Sequence, residues 1–208
     1  DGRITELAPA EKIIIRNLTE TGRVSRISDL AQKISAAQPT PKQKASLGFI
    51  GEVSSALTII NENDKYHAAI GIAEYGNEKA IRAKVDEIVA IIKEHKAPMT
   101  IEELDAKLNY EHPSHIEAIM RVSKLLSTLN GLWGLNKWPT VNPKNIRDKI
   151  FVILEDEKEP MHFTDIANAI STSSFKRKNV TVQAIHNELI KDGRFVLIGR
   201  GIYALDSW

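Results

Sequence analysis

Three adjacent basic residues, Lys176, Arg177 and Lys178, lie between Asp165 and Glu188, in a stretch that contains no acidic residue. Clustered lysines and arginines neutralise phosphates, and the resulting affinity comes from the release of counterions. The net charge of the chain is only +1, so the local cluster matters more than the average. The basic run therefore predicts contact with a polyanion.

Polar residues that could read DNA bases follow the basic run. Thr181 is expected to open a helix in which Gln183, His186 and Asn187 lie on the polar face. Amide side chains such as those of Gln183 and Asn187 can pair with the edge of adenine in the major groove. Exposed helix faces are polar in most proteins, so a solvated surface is the alternative interpretation.

Further basic residues extend the predicted site. Arg200 lies at the tip of a predicted hairpin, from which it could enter the neighbouring minor groove. Lys42 and Lys44 lie in a second stretch without acidic residues, between positions 29 and 52. The complete set of predicted DNA contacts is Lys176, Arg177, Lys178, Asn179, Thr181, Gln183, His186, Asn187, Arg194, Arg200, Lys42 and Lys44.

An internal repeat indicates which elements would hold these residues. The segments Gly131–Trp138 and Gly201–Trp208, seventy positions apart, share the order Gly, aliphatic, aromatic, small, Leu, two polar residues, Trp. A helical pattern and then Lys-x-Pro-Met precede each segment, at Lys96–Met99 and Lys158–Met161. Such a repeat indicates that one supersecondary unit has been copied.

The last copy gives the clearest outline of the unit. Apolar spacing predicts a first helix along Ile146–Leu154, a second helix capped by Thr164 and a third helix opened by Thr181. Arg194–Ile198 and Ile202–Leu205 are predicted to form a hairpin. Three helices closed by a hairpin predict a winged helix-turn-helix.

The middle segment, residues 78–142, is expected to repeat this order. Thr100 should cap its second helix, and the third helix is predicted to extend from Ile116 to Leu129. Its Leu132–Trp138 strand then follows the helix after only two residues. We therefore expect the first strand of this hairpin to be reduced.

The first segment, residues 1–77, matches the order of elements more than the residues. Ser28 should cap its second helix, and Thr40-Pro41 should start the third, since proline is favoured at the first helical position. The sequence thus predicts a mainly α protein with small β wings (α+β). We expect tandem winged helix-turn-helix domains at 1–77, 78–142 and 143–208.

Composition limits the classes of function. The 208 residues include no cysteine, which excludes disulfides and thiolate metal sites, and no apolar run approaches the ~18 residues that cross a bilayer. No nucleotide-binding glycine loop and no nucleophile elbow is visible. His112 and His115 lie near Glu111 without a further ligand cluster, so we expect no metal site. We expect a non-catalytic chain without cofactors, and its start at Asp1-Gly2-Arg3 predicts a fragment of a longer protein.

Several motifs near the end of the chain resemble a known family. They are Pro160–Ala167, His186–Leu189, Asp192–Phe195 and Gly199–Trp208. In this order they are similar to the HARE-HTH winged helix, the type found in the amino-terminal domain of the bacterial RNA polymerase delta subunit. The resemblance covers residues 143–208. Trp133–Trp138 and the residues after it are also similar to sigma-factor-like bacterial proteins that end in such a domain.

The resemblance implies work in transcription or chromatin and, if the protein is bacterial, a location in the cytoplasm at the nucleoid. Three functions stay open at this point. The chain could bind duplex DNA through its tandem units, or it could dock on RNA polymerase or a transcription factor, because fold alone does not choose between them. It could also be the DNA-recognition part of a restriction or defence enzyme whose catalytic domain lies elsewhere.

Overall fold

The computed structural model describes residues 2–108 and 113–208, and it shows a mixed protein of helices and small antiparallel sheets. The α+β class predicted from the sequence is confirmed. The chain divides into two compact units, Asp1–Leu126 and Ser127–Trp208. Glu111 and His112, which we considered as metal ligands, lie outside the described residues.

The elements follow one another with short connections. The helices are α1 (Gly2–Thr21), α2 (Ile27–Ser35), α3 (Pro41–Val53), α4 (Glu78–His95), α5 (Ile101–Leu108), α6 (Pro113–Val122), α7 (Ile146–Glu157), α8 (Phe163–Thr172) and α9 (Val182–Lys191). The strands are β1 (Val24–Arg26), β2 (Leu57–Ile60), β3 (Ala69–Ile72), β4 (Leu126–Leu129), β5 (Leu132–Leu135), β6 (Met161–His162), β7 (Phe195–Gly199) and β8 (Ile202–Leu205). A 3-10 turn, Ala73–Tyr75, follows β3.

The same order of elements occurs near both ends of the chain. The elements α1-β1-α2-α3-β2-β3 in the first unit correspond to α7-β6-α8-α9-β7-β8 in the second. The sheets also have matching orders, β1-β3-β2 and β6-β8-β7, with antiparallel pairing throughout. In each sheet the last strand is therefore central, between its hairpin partner and a short strand from earlier in the chain.

The two repeated segments both close hairpins, as the sequence predicted. Gly131 and Gly201 occupy the hairpin turns with φ of +79° and +68°. The residues after them form β5 and β8. The amide of the final tryptophan in each segment donates to the carbonyl of the leucine three residues earlier, at 2.8 and 3.1 Å. The shared sequence thus encodes a shared turn, strand and second turn.

The hairpin of the middle segment is complete, so our prediction of a reduced first strand was wrong. α6 ends at Val122 and does not extend to Leu129. Ser123 then forms an isolated bridge with Tyr66, and Leu126–Leu129 form the four-residue strand β4, which pairs with β5. A short apolar run fits a helix or a strand equally well, and here the pairing partner decides.

Three predicted helix starts are confirmed by their caps. Thr40 and Thr100 each accept from the amide three residues later, at 3.2 Å in both cases, and side-chain oxygens of Gln43 and Glu103 accept from the amides of these two threonines. Thr181 accepts from the amide of Ala184 at 3.2 Å. These bonds satisfy amides that have no partner inside the helix.

The predicted caps Ser28 and Thr164 were wrong, because each lies inside its helix. α2 begins at Ile27, directly after β1, and Arg26 occupies the cap position, where its side chain makes no capping hydrogen bond to the helix. α8 begins at Phe163, directly after β6, and the ring of His162 accepts from the amide of Thr164 at 3.3 Å. Pairing of the two short strands fixes the residue before each helix, so the helices start earlier than cap preference indicates.

The middle helices belong to the first compact unit. α6 packs against β1, where Nε of Arg26 donates to the carbonyl of Arg121. Gly22 lies so close to α6 that a Cβ there would be 2.7 Å from Cβ of Ala118. The unit therefore contains the first predicted segment together with α4, α5 and α6. The division into three domains stays a prediction drawn from the repeat.

We expect Gly201→Ala to lower the free energy of unfolding by about 2–3 kcal/mol. The reasons are the positive φ of Gly201 and the position of the added Cβ, which would lie 2.5 Å from Nε2 of His162 and 2.9 Å from Cε1 of Phe163. Gly193→Ala is the matched control: nothing lies within 4 Å of its added Cβ, and its φ is not positive. It should change stability by less than about 0.5 kcal/mol. Urea unfolding of both variants is the measurement, and equal losses would contradict the role given to Gly201.

Candidate nucleic-acid interface

Two apolar residues fix the orientation of α9. Ile185 and Leu189 are 0% and 1% exposed and belong to the core of the second unit. An α-helix turns by about 100° per residue, so the opposite face centres on Asn187, with Gln183 and Lys191 beside it. All three of these side chains are exposed. Packing therefore presents a polar face to solvent.

The two predicted base-reading amides bond to each other. Nε2 of Gln183 donates to Oδ1 of Asn187 at 3.0 Å, across one helical turn. This bond does not use Nδ2 of Asn187, which is a donor, or Oε1 of Gln183, which is an acceptor. Adenine offers N7 as an acceptor and N6 as a donor in the major groove. The pair thus keeps the donor and the acceptor that this base edge requires.

Hydrogen bonds to backbone carbonyls hold the basic loop between α8 and α9. Nζ of Lys149, a residue only 4% exposed, donates to the carbonyl of Arg177 at 2.9 Å. Burial lowers the pKa of the Lys149 ammonium, and the charge of Arg177 adds to this effect. Lys178 donates to the carbonyl of Ser173 at 3.1 Å. The side chains of Lys176, Arg177 and Lys178 all stay exposed on this anchored loop.

Two other predicted contacts have structural partners. His186 is half-buried on the flank of α9, with its ring 4.9 Å from that of Phe163 and 6.3 Å from that of Tyr203. Thr181 uses its hydroxyl to cap α9. Asn179 is exposed in the loop before it. The structure therefore places Asn179 near the start of α9 and His186 against the sheet.

The charge of Arg194 is paired inside the unit. Its Nη2 lies 2.7 Å from a carboxylate oxygen of Asp192, and its Nη1 lies 3.3 Å from one of Asp148. The hydrogen bond from Arg194 holds the pKa of Asp192 below its usual value. The guanidinium also lies 5.4 Å from the centre of the Phe151 ring. Arg194 thus connects the start of β7 to α7.

The tip of the β7–β8 hairpin exposes aliphatic side chains beside Arg200. Arg200 is exposed at the turn. Leu197, Ile198 and Ile202 beside it are 62%, 57% and 37% exposed. We call these four residues the wing tip. It combines one cation with an exposed aliphatic surface.

The corresponding helix of the first unit presents a different face. Lys42 and Lys44 are exposed in the first turns of α3. The outward face of α3, however, centres on Phe49 and Val53, which are 58% and 51% exposed. The structure places Lys42 and Lys44 in the first compact unit and the other predicted contacts in the second. The two third helices therefore differ in the chemistry that they expose.

Two lysines of this region, Lys149 and Lys191, were not among the predicted contacts. Lys191 lies on the outward face of α9, four residues after Asn187, and the spacing 183, 187, 191 could have identified it. Lys149 holds the basic loop from α7, and a lysine within an apolar helical stripe is the signal that marks it. Lys191 extends the candidate interface beyond the predicted set, and the buried Lys149 supports its basic loop.

Among residues 2–108 and 113–208, no three His, Cys, Asp or Glu side chains form a group that could hold a metal ion. In the same residues no helix is both long and apolar enough to span a bilayer. A scan against protein-family models and a search of curated proteins found no match for the chain.

We expect Arg194→Gln to lower the free energy of unfolding by about 1–2 kcal/mol at pH 7. The substitution leaves Asp148 and Asp192, whose side chains are 16% and 12% exposed, without their shared cation. The loss is modest because the Arg194 side chain is 38% exposed and solvent screens the pair. Arg200→Gln, an equal loss of charge at an exposed position, should cost less than about 0.5 kcal/mol.

The effect of Arg194→Gln should also depend on pH. Arg194 lowers the folded-state pKa of Asp192, so its contribution is complete above the unfolded pKa of about 4 and is lost as the pH falls through the lowered folded-state value. The difference between the two proteins should therefore shrink below about pH 4. Urea unfolding at pH 7 and pH 3 is the measurement, and a constant difference would argue against the ion pair.

Proposed function

We propose that the chain is a non-catalytic, transcription-associated protein that binds duplex DNA through tandem winged-helix units, with α9 as the helix that enters the major groove. The observation that carries this proposal is the outward face of α9, where Gln183 and Asn187 lie beside the exposed basic loop of Lys176, Arg177 and Lys178. In a bacterial cell the protein would act at the nucleoid.

The order of elements supports a winged helix-turn-helix. α8 and α9 follow each other through one loop, and the β7–β8 hairpin comes next, with the sheet order β6-β8-β7. A major groove about 12 Å wide admits such a helix, and a flanking hairpin then lies near the neighbouring minor groove. Arg200 at the wing tip would contact that groove. The basic loop would contact the phosphates beside the start of α9.

The first unit supports a tandem arrangement. Its elements have the same order, and its sheet has the corresponding pairing. Lys42 and Lys44 would contribute phosphate contacts, which position a protein on DNA without reading its sequence. Two linked units raise the effective concentration of each at the DNA. The apolar outward face of α3 favours a supporting role for the first unit, with base contacts made by α9.

A second candidate is a protein-interaction module that docks on RNA polymerase or a transcription factor. The exposed Phe49 and Val53 on α3 and the exposed Leu197 and Ile198 at the wing tip favour it. Exposed apolar side chains of this kind are frequent in surfaces that contact other proteins. Capture of core polymerase by the immobilised chain, with no shift of any duplex at low salt, would support this candidate over DNA binding.

We expect the triple substitution of Lys176, Arg177 and Lys178 by Gln to weaken duplex binding at least tenfold in 50 mM salt. Each lost phosphate contact releases about one counterion fewer, so the slope of log affinity against log salt should fall by about three. Fluorescence anisotropy with a labelled duplex of random sequence is the measurement. The loss should be similar for all sequences, because phosphate contacts carry no sequence information.

The matched control removes three exposed lysines elsewhere. Lys79, Lys93 and Lys107 lie on α4 and α5 of the middle segment, and their replacement by Gln gives the same change in net charge. This control should retain nearly all of the affinity. An equal loss in the control, or no binding of any duplex by the native chain at 50 mM salt, would reject the proposal.

A further inference from the structure

A cavity of about 500 Å³ lies in the first compact unit. The turn after α1, the end of β3 with the following 3-10 turn, α4 and α6 contribute its walls. Its size is within the range of sites that take small molecules, roughly 300–1,000 Å³. None of the residues that line it in the described part of the chain belongs to α3 or to the predicted DNA contacts. DNA binding therefore does not account for it.

The floor of the cavity is aliphatic. Val24, Ile72, Ile81 and Ile119 line it, and they are 4%, 8%, 7% and 7% exposed. These residues come from β1, β3, α4 and α6, so the surface exists only when the first and middle segments pack together. An aliphatic floor of this kind favours an apolar body, whose burial removes apolar surface from water.

The rim of the cavity is cationic. The cationic side chains of Arg23 and Lys84 line it, together with the imidazole of His115. Glu74 is the one carboxylate among the cavity residues of the described chain. All three nitrogen-bearing side chains are half-buried, where charges interact more strongly than at a fully exposed surface. The balance of charge therefore favours an anionic group at the mouth.

The position of Arg23 supports a role at this rim. Arg23 has a φ of +76°, a conformation that glycine or asparagine would adopt at lower cost. Two backbone hydrogen bonds hold the turn. The amide of Arg23 donates to the carbonyl of Leu18 at 2.6 Å, and the amide of Ile72 donates to the carbonyl of Arg23 at 3.0 Å. This turn places the guanidinium 3.7 Å from the centre of the Tyr75 ring, another residue of the cavity. The backbone conformation of Arg23 thus places its guanidinium at the rim of the cavity.

We propose that this cavity binds a small amphipathic anion, an apolar molecule that carries one carboxylate, sulfonate or phosphate group. The apolar body lies on the aliphatic floor, and the anionic group lies between Arg23 and Lys84. The ligand class follows from the two halves of the site, because neither a neutral hydrocarbon nor a fully polar anion would use both.

The test compares two fluorescent probes that differ only in their charge. One is 8-anilinonaphthalene-1-sulfonate, and the other is N-phenyl-1-naphthylamine, the same body without the sulfonate. Titration of the full chain should show one site that binds the sulfonate at least threefold more tightly. Lys84→Gln and Arg23→Asn should each weaken sulfonate binding about three- to fivefold, the effect of one partly exposed ion pair, and leave the neutral probe unchanged. Asparagine is chosen at position 23 because it tolerates positive φ.

Two control variants separate the cavity from other surfaces. Lys93→Gln is the same substitution on α4 at an exposed position outside the cavity, and it should not change sulfonate binding. Phe49→Ser removes the largest exposed apolar side chain of α3 and should also have no effect. Unchanged sulfonate binding in Lys84→Gln, or a loss in Phe49→Ser without one in Lys84→Gln, would overturn the proposal. Lys84→Gln decides the outcome even where circular dichroism shows that Arg23→Asn does not fold.

Discussion

The orientation of α9 depends on the burial of Ile185 and Leu189 in the core of the second unit. A helix held by two residues on one side can present only the opposite arc to solvent, and here that arc centres on Asn187. The same constraint acts on α3. Gly51 is buried on its inner side, where an added Cβ would lie 2.9 Å from Cδ1 of Ile70, and Phe49 is consequently on the outer side.

Ion pairs decide which basic residues remain available on the second unit. Arg147 lies 2.7 Å from Glu188, and Arg194 is held by two aspartates. Lys149 is buried, and its ammonium group holds the basic loop in place. Arg147, Arg194 and Lys149 therefore stabilise the unit, whereas Lys176 and Lys191, which have the same charge, face solvent. A count of lysines and arginines cannot make this distinction, because Glu188, Asp148 and Arg177 lie far along the sequence from the basic residues that they contact.

The short strands β1 and β6 explain most of the errors in the predicted fold. They contain three and two residues, too few to leave a periodic pattern. Their pairing joins distant positions, as between Val24 and Gly71 or between Met161 and Tyr203. Because each strand leads directly into a helix, it also moves the helix start away from the residue that cap preference selects.

The sequence by itself determined the features that depend on residues within about four positions of each other. These include the caps at Thr40, Thr100 and Thr181, the two hairpin turns with glycine at positive φ, and the basic run before α9. The tertiary structure alone decided the bond from Lys149 to the basic loop, the pairing of Arg194 with Asp148 and the cavity between the first two segments. Local hydrogen bonds form wherever their residues are adjacent, whereas packing and ion pairing depend on which surfaces the whole fold brings together.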